Sequence, residues 1–177
     1  WPVTILGGGS NTLPADEGVS GLVVLNQNRE LSISPSSGEV YAGTGLPFQE
    51  LFLKTAQAGL GGLEYAVGIP GSLGGALASN AGAYRSNLSE HLTQLEVVHE
   101  GIRRWESPDF LRFSYRDSRL RERPSPQITV LRIQMLLKPR EAKGIYDEAR
   151  DYQRQRISKQ PPPASAGSFF KNVDDHA

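Results

Sequence analysis

Two glycine-dense segments of the chain are suited to binding phosphate groups through their backbone. They are LGGGSN at Leu6–Asn11 and GIPGSLGGALASNAGAY at Gly68–Tyr84. Glycine adopts backbone angles that other residues avoid, and consecutive N–H groups in such turns can converge on an anion. Two such segments in one chain predict a site for a diphosphate. The sequence leaves open the alternative that each segment is only a set of tight turns.

The first segment follows a short apolar run, Val3–Leu6, and therefore lies where a strand is predicted to end. It is not the dinucleotide fingerprint G-x-G-x-x-G. Read from Gly7, the third glycine would fall at Thr12, and Pro14 cuts short the helix that should follow. Neither segment continues into the Gly-Lys-Ser/Thr of a Walker A loop. The second segment is the more specific, since closely spaced glycines are costly to order unless the backbone must approach a ligand.

Four motifs taken together resemble the UDP-N-acetylenolpyruvoylglucosamine reductase (MurB) family of peptidoglycan synthesis. They are the two glycine segments, FSYRDS at Phe113–Ser118 and SAGSFFKN at Ser165–Asn172, in the family's order. The resemblance implies a flavoenzyme with bound FAD and NADPH as the reductant. The implied substrate is UDP-N-acetylglucosamine enolpyruvate, which is reduced to UDP-N-acetylmuramate.

The resemblance also assigns both glycine segments to the FAD site. The implied cofactor-binding residues are Leu6, Gly7, Gly8, Gly9, Ser10, Asn11, Gly68, Ile69, Pro70, Gly71, Ser72, Gly74, Gly75, Asn80, Ala81 and Gly82.

Two residues match the catalytic positions of the family. In the implied reaction, flavin N5 gives a hydride to C3 of the enolpyruvyl group, and C2 is then protonated. Arg116 matches the catalytic arginine, whose permanent charge and forked donors suit a carboxylate on which charge builds. Ser168 matches the proton donor to C2, a role that requires a buried site because serine is a weak acid in water. Without the resemblance, Arg116 would be interpreted as a surface ion pair and Ser168 as a turn residue.

Further positions are assigned to the substrate with less detail. The implied substrate-binding residues are Tyr84, Tyr115, Arg116, Lys159, Lys171 and Asn172. Asn172 matches a position that contacts the uridine nucleotide, and Lys159 corresponds to a lysine that contacts phosphate or NADPH. The lysines could instead be solvated, and the tyrosines could be core residues. The family's C-terminal catalytic glutamate has no counterpart in this sequence.

The composition excludes several other classes of protein. Lysine and arginine total 19 and aspartate and glutamate total 19, so no overall field favours nucleic acid. The basic run Arg119–Arg123 is interrupted by Glu122. The absence of cysteine fits a cytoplasmic protein, and His91, His99 and His176 lack the spacing of metal ligands. No apolar stretch is long enough to predict a membrane span.

The elements that position these motifs are predicted to be α+β. Apolar patterning predicts strands at Leu22–Leu25, Val40–Ala42, Leu92–Val98 and Ile128–Leu137. A helix is predicted to begin near Pro47 and to end at Gly59. Its inward face should carry Phe48, Leu51, Phe52 and Thr55. In the last strand the residues predicted to face the core are Leu131, Ile133, Met135 and Leu137.

A change in composition after Pro139 suggests a second region. We expect residues 1–138 to form an FAD-binding domain of the vanillyl-alcohol-oxidase-like (PCMH) type, as the resemblance implies. Residues 139–177 would begin a smaller α+β substrate-binding domain. A surface helix is predicted over Arg140–Lys159, stopped by the prolines Pro161–Pro163. The compact link before it favours the family's shorter, insertion-free class, and we expect the chain to be incomplete at both ends.

Two alternative functions remain at this stage. One is another FAD-dependent oxidoreductase of the same cofactor fold, such as a sugar or alcohol oxidase. The YRDS and SAGSFFKN motifs argue against it, although one fold can host many reactions. The other is a nonredox nucleotide-binding domain that has lost activity, which the missing glutamate would allow.

Overall fold

The computed structural model describes residues 1–160 and Gly167, which combine short strands with helices. The strands are β1 (Val3–Leu6), β2 (Leu22–Leu25), β3 (Leu31–Ile33), β4 (Glu39–Gly43), β5 (Leu60–Gly61), β6 (Gly82–Ala83), β7 (Ser86–Asn87), β8 (Leu92–His99), β9 (Ile102–Glu106), β10 (Ile128–Leu136) and β11 (Lys138–Pro139). The α-helices are α1 (Phe48–Gln57), α2 (Leu73–Ala78) and α3 (Ala142–Lys159). Short 3₁₀ turns lie at Glu64–Ala66, Leu88–His91, Pro108–Leu111 and Arg119–Arg121.

Five strands form the main antiparallel sheet, in the order β3-β4-β10-β8-β9. Because side chains alternate along a strand, one face of this sheet can be apolar. That face shares one buried cluster with residues of all three helices. From the sheet the cluster contains Val40, Ala42, Leu92, Leu95, Val97, Val130, Ile133 and Met135. From the helices it contains Phe48, Leu51, Phe52, Ala56, Leu73, Ala76, Leu77, Ile145 and Ala149.

Strand β10 follows the predicted alternation only in its second half. Ile133 and Met135 are buried, as expected. In the first half Val130 is buried, whereas Leu131, which we predicted to face the core, is only half-buried. The pairing with β8 shifts between Val130 and Arg132, so a β-bulge reverses which residues point inward. The prediction for Leu131 is wrong for this reason.

Helix α1 has the predicted position and the predicted buried face. Pro47 occupies the N-cap position with φ of −57°, and Gly59 beyond the end has a left-handed φ of +74°. Glu50 lies in the first turn, where a negative charge is favoured by the helix dipole. The buried residues include the four that were expected, Phe48, Leu51, Phe52 and Thr55.

Helix α3 lies against the region that precedes it. Ile145 and Ala149 are buried in the common core. Arg140 donates from Nη1 to Glu64 Oε1 at 2.7 Å and to Glu148 Oε2 at 2.9 Å. Helix α3 therefore begins after residue 138, where we predicted a domain boundary, but it packs into the same core as the residues before that position. No helix within residues 1–160 is both long and apolar enough to cross a lipid bilayer.

A buried carboxylate, Glu96, joins three strands of the main sheet. It accepts hydrogen bonds from Arg132 Nε at 2.6 Å and from Arg103 Nε at 2.7 Å. These arginines hold the pKa of Glu96 below its ordinary value, with the Arg132 hydrogen bond as the largest cause. A carboxyl whose pKa is lowered by folding stabilises the fold above its unfolded pKa, and the stabilisation is lost as pH falls through the folded pKa.

We expect Glu96→Gln to reduce the free energy of unfolding at pH 7 by about 2 kcal/mol, because charge-assisted hydrogen bonds to a buried group are lost. The difference from the unmodified protein should shrink as the pH falls below the ordinary glutamate pKa of 4.5. Urea unfolding at several pH values would measure both effects. Glu100→Gln, at an exposed position in the same hairpin, is the matched control. A Glu96→Gln deficit that is constant with pH would contradict the electrostatic explanation.

Candidate functional site

The two glycine segments meet at the ends of a small parallel sheet. Strands β1 and β2 pair in parallel, with Leu6 opposite Leu25, so the loops that follow them emerge side by side. A cavity of about 630 Å³ opens where these loops face the start of α2. It is lined by Leu6, Gly7, Gly8, Gly9, Ser10, Leu25, Asn26, Gln27, Arg29, Gly45, Pro47, Pro70, Gly71 and Ser72.

At two glycines, the segments lie so close together that an added side chain would meet a serine hydroxyl of the other segment. A Cβ atom added to Gly7 would lie 2.2 Å from Ser72 Oγ. One added to Gly71 would lie 2.7 Å from Ser10 Oγ, and Gly71 also has a φ of +104°. A side chain at Gly7 would displace the Ser72 hydroxyl, which caps α2, and a side chain at Gly71 would also strain the backbone. The glycines thus bring two runs of backbone N–H groups to one cavity.

Several of these N–H groups are available to a ligand. Within residues 1–160, no protein acceptor is found for the backbone N–H groups of Gly8, Gly9, Ser10, Asn11, Gly71 and Ser72. Unpaired N–H donors on glycine turns are the usual partners of phosphate oxygens in proteins. Arg29 adds a permanent positive charge to the lining. The cavity can therefore bind a diphosphate group.

Two other glycines of the second segment have a different role. The N–H of Gly74 donates to Thr44 O at 2.7 Å, and the N–H of Gly75 donates to Ser72 Oγ, the N-cap of α2, at 3.3 Å. Neither residue lines the cavity. Both N–H groups are thus used to fix α2 and the loop at Thr44, although we had predicted both residues to bind the cofactor.

Six residues that line the cavity were not predicted as site residues: Leu25, Asn26, Gln27, Arg29, Gly45 and Pro47. A signal was present, because the polar run Asn26–Asn28 directly follows a second apolar strand. Carboxyl ends of parallel strands meet at one edge of a sheet, where ligands bind. We had not assigned this run to the site.

The remaining residues of the second segment lie beside or beyond α2. Gly68, with φ of +73°, is close to the Arg156 side chain, Ile69 packs against the core and Pro70 lines the cavity.

Asn80 is buried and bridges two backbone segments. It donates from Nδ2 to Ser114 O at 3.1 Å and accepts the N–H of Ser89 at 3.1 Å. Ala81 is buried beside it, and Gly82 pairs with Asn87 in the β6–β7 hairpin.

The YRDS motif forms a tight turn attached to the far end of α2. Ser114 and Asp117 exchange both N–H···O bonds at 3.2 Å, with Tyr115 and Arg116 between them. Ser118 Oγ donates to Ala78 O at 2.9 Å. The guanidinium carbon of Arg116 lies 5.8 Å from the centre of the Tyr115 ring. The cavity and the Arg116 turn are therefore held at opposite ends of α2, which is about 9 Å long.

The predicted substrate residue Tyr84 is packed on helix α3. Its ring is stacked on Tyr152 with centroids 4.0 Å apart, and its hydroxyl donates to Tyr152 O at 2.8 Å. The Tyr152 hydroxyl donates to Glu148 at 2.8 Å, and burial together with this carboxylate raises the pKa of Tyr152 to about 12.

Lys159 is exposed at the end of α3. Ser168, Lys171 and Asn172 lie outside the described residues.

The residues present fit FAD, since N–H donors without an acceptor in residues 1–160, Arg29 and two close-packed glycines surround a cavity with room for a diphosphate. Among residues 1–160, no three histidine, aspartate or glutamate side chains are grouped to hold a metal ion. The fold and the cavity define an FAD-binding domain. A family model described as an FAD binding domain matches residues 1–101, and the chain belongs to this family.

The similarity extends further, to the UDP-N-acetylenolpyruvoylglucosamine reductases. The chain is 38% identical over 171 residues to the Thermotoga maritima protein of that name, an alignment covering 96% of this chain and 59% of that protein. The crystal structure of MurB from Thermus caldophilus superposes with a TM-score of 0.80 at 35% identity, over 97% of this chain and 61% of the other. The resemblance predicted from the four motifs is confirmed. The chain spans less than two thirds of these relatives.

A more distant structure agrees on the fold alone. The 6-hydroxy-D-nicotine oxidase of Arthrobacter nicotinovorans has a TM-score of 0.54 at 18% identity, over 77% of this chain and 31% of the oxidase. The expected vanillyl-alcohol-oxidase-like fold with α+β content is thus confirmed.

Gly71→Val should weaken FAD binding by roughly 10- to 100-fold, because the backbone at φ of +104° becomes strained and the side chain meets Ser10. Gly75→Ala is the matched control from the same segment. Its added Cβ meets nothing nearer than Ser72 Oγ at 3.7 Å, so flavin should be retained. Flavin fluorescence titration of the two folded variants would measure this. Equal retention in both variants would remove Gly71 from the cofactor site.

Proposed function

We propose that the protein containing this chain is an FAD-dependent reductase that converts UDP-N-acetylglucosamine enolpyruvate to UDP-N-acetylmuramate with NADPH. The observation that carries the proposal is the joining of two glycine loops around one cavity, with the Arg116 turn anchored to the helix between them. The 38% identity to a UDP-N-acetylenolpyruvoylglucosamine reductase supports the choice of substrate.

The chemistry that FAD would supply in the cavity is the transfer of two electrons from NADPH, as a hydride, to C3 of the enolpyruvyl group. The protein's part is to bind the diphosphate, to orient the substrate and to manage charge and protons. The N–H groups of the first loop and of Gly71 and Ser72, with Arg29, would hold the diphosphate. The cofactor's negative charge would then lie beside N–H donors for which residues 1–160 offer no acceptor.

Arg116 would stabilise the charge that builds on the substrate. When hydride reaches C3, the electron pair of the double bond moves to C2 and is delocalised into the carboxylate. A guanidinium that can make two parallel hydrogen bonds to that carboxylate favours the charged state over the substrate. The rigid turn that carries Arg116 supports this role, because fixed donors need no reorganisation during the reaction.

Ser168 would complete the reaction by donating the proton of its hydroxyl to C2. The alkoxide left on the serine would regain a proton from solvent. Among the other assignments, Tyr115 and Lys159 would contact the substrate or NADPH, Asn172 would bind the uridine nucleotide and Lys171 would add charge nearby. Tyr84 would contribute its ring, since its hydroxyl already donates to Tyr152 O.

The absorption spectrum of the full-length protein tests the proposal directly. Oxidised flavin should be visible in the purified protein, anaerobic NADPH should bleach it, and UDP-N-acetylglucosamine enolpyruvate should restore it in stoichiometric amount. Flavin that is reduced by an alcohol or a sugar and reoxidised only by dioxygen would identify an oxidase of the same fold instead. A folded protein without flavin affinity would support a domain that has lost redox activity.

A further inference from the structure

The backbone of Arg116 has a conformation that an arginine does not adopt without support. Its φ is +53°, in the left-handed region that disfavours residues with a Cβ atom. The direction of its side chain depends on this angle, because a change in φ rotates Cβ relative to the chain. Something in the structure must therefore hold the centre of the turn.

The two flanks of the turn are fixed by bonds to the helix α2 region. Asn80 Nδ2 binds Ser114 O at 3.1 Å, and Ser118 Oγ binds Ala78 O at 2.9 Å. In the peptide that follows Arg116, the N–H of Asp117 donates within the turn, to Ser114 O at 3.2 Å. The carbonyl oxygen of Arg116 instead accepts a hydrogen bond from Arg121 Nη1 at 2.8 Å.

The 3₁₀ turn that contains Arg121 positions it for this contact. The 3₁₀ turn Arg119–Arg121 reverses direction after the YRDS motif, and the N–H of Arg121 donates to Ser118 O at 3.0 Å. An ion pair at 2.9 Å between Arg112 Nη2 and Glu122 Oε1 joins the two ends of the segment. The ion pair thus closes the segment 112–122, and Arg121 Nη1 lies within hydrogen-bond distance of the Arg116 carbonyl oxygen.

We propose that Arg121 is a positioning residue that fixes the backbone of Arg116 and so aims its guanidinium. The inference rests on the proposed function, in which Arg116 contacts the substrate carboxylate. Arg121 is exposed and on the surface it would ordinarily be a solvated charge. The hydrogen bond to the carbonyl oxygen of Arg116 distinguishes Arg121 from Arg123, which is also exposed.

Amide hydrogen exchange tests the positioning without reference to activity. Arg121→Met removes the donor but keeps the length of the side chain, and it should speed exchange of the Ser114 and Asp117 amides by roughly five- to tenfold, as expected for one lost hydrogen bond. Arg121→Lys keeps a donor and should restore most of the protection. Arg123→Met, which removes the same charge two residues away, should leave these amides unchanged. Equal protection in Arg121→Met and the unmodified protein would overturn the proposal.

Kinetics then test whether the positioning serves Arg116. In the full-length protein, Arg121→Met should slow reoxidation of reduced flavin by the enolpyruvyl substrate roughly tenfold and leave reduction by NADPH unchanged. In an Arg116→Ala background the same change should have no further effect, because it acts only through Arg116. Equal slowing by Arg121→Met and Arg123→Met would show a general effect of charge and overturn the proposal. If the unmodified protein does not react with this substrate, the proposed function fails, while the exchange result still stands.

Discussion

Replacing Arg116 with alanine is expected to slow reoxidation of the reduced flavin by UDP-N-acetylglucosamine enolpyruvate by roughly 10²- to 10³-fold, the usual effect of removing one donor to a developing anion. Reduction of the flavin by NADPH should change little, because no charge then builds on the enolpyruvyl carboxylate. Stopped-flow absorbance at the flavin band separates the two half-reactions. Arg116→Lys keeps the charge but loses the fork, and it should give an intermediate rate.

Arg123→Ala is the control for a general loss of positive charge, since Arg123 is exposed on the same segment. It should leave both half-reactions near their normal rates. If Arg116→Ala slowed the two half-reactions equally, the residue would have a structural or cofactor-binding role instead.

Ser168→Ala should suppress product formation by roughly 10²- to 10⁴-fold, the range for loss of a general acid. FAD binding and reduction by NADPH should remain largely intact. Ser168→Cys keeps a transferable proton and should retain more turnover than the alanine variant. The order of the two variants is the test, measured as formation of UDP-N-acetylmuramate by the reduced, full-length protein.

Ser165→Ala, three residues earlier in the same motif, is the matched control and should be close to the unmodified protein. A solvent deuterium isotope effect on product formation should be present in the unmodified protein and should change in Ser168→Ala. An alanine variant that turns over normally, with an unaltered isotope effect, would mean that another group protonates C2.

Local patterns in the sequence were sufficient for much of the fold. Leu22–Leu25 was predicted with the observed bounds, and α1 with its buried face. These elements are encoded by periodicity within a few residues. The inward residue in the first half of β10 was not predictable in this way, because the β-bulge arises from pairing with β8. Strand β9 was not predicted from the sequence. The structure shows that it is joined to β8 by a two-residue turn, Glu100–Gly101, with the positive φ values of +54° and +75° typical of such turns.

The candidate site was predictable where glycine marks a close approach of the backbone. Both segments contribute to the cavity, and Gly7 and Gly71 lie where each segment faces a serine of the other. Which N–H groups remain available was not predictable, because the acceptor for Gly74 is a carbonyl thirty residues away, at Thr44. Asn80 was assigned to the cofactor, whereas the structure shows it bridging Ser89 and Ser114. Its FAD contact therefore stays a prediction without support from the described geometry.

The strand order of the main sheet also sets the order in which the protein can assemble during synthesis. Strand β10 is central, between β4 and β8, yet it follows both of them along the chain. Thr44, beside the cavity, is held by β10 through Val130 O at 2.6 Å and Leu131 O at 3.1 Å. A nascent chain released only as far as β9 exposes two unpaired strand edges, and such edges favour aggregation. We therefore expect the central part of the main sheet, and with it the fixed position of Thr44, to form only after residues 128–136 have left the ribosome.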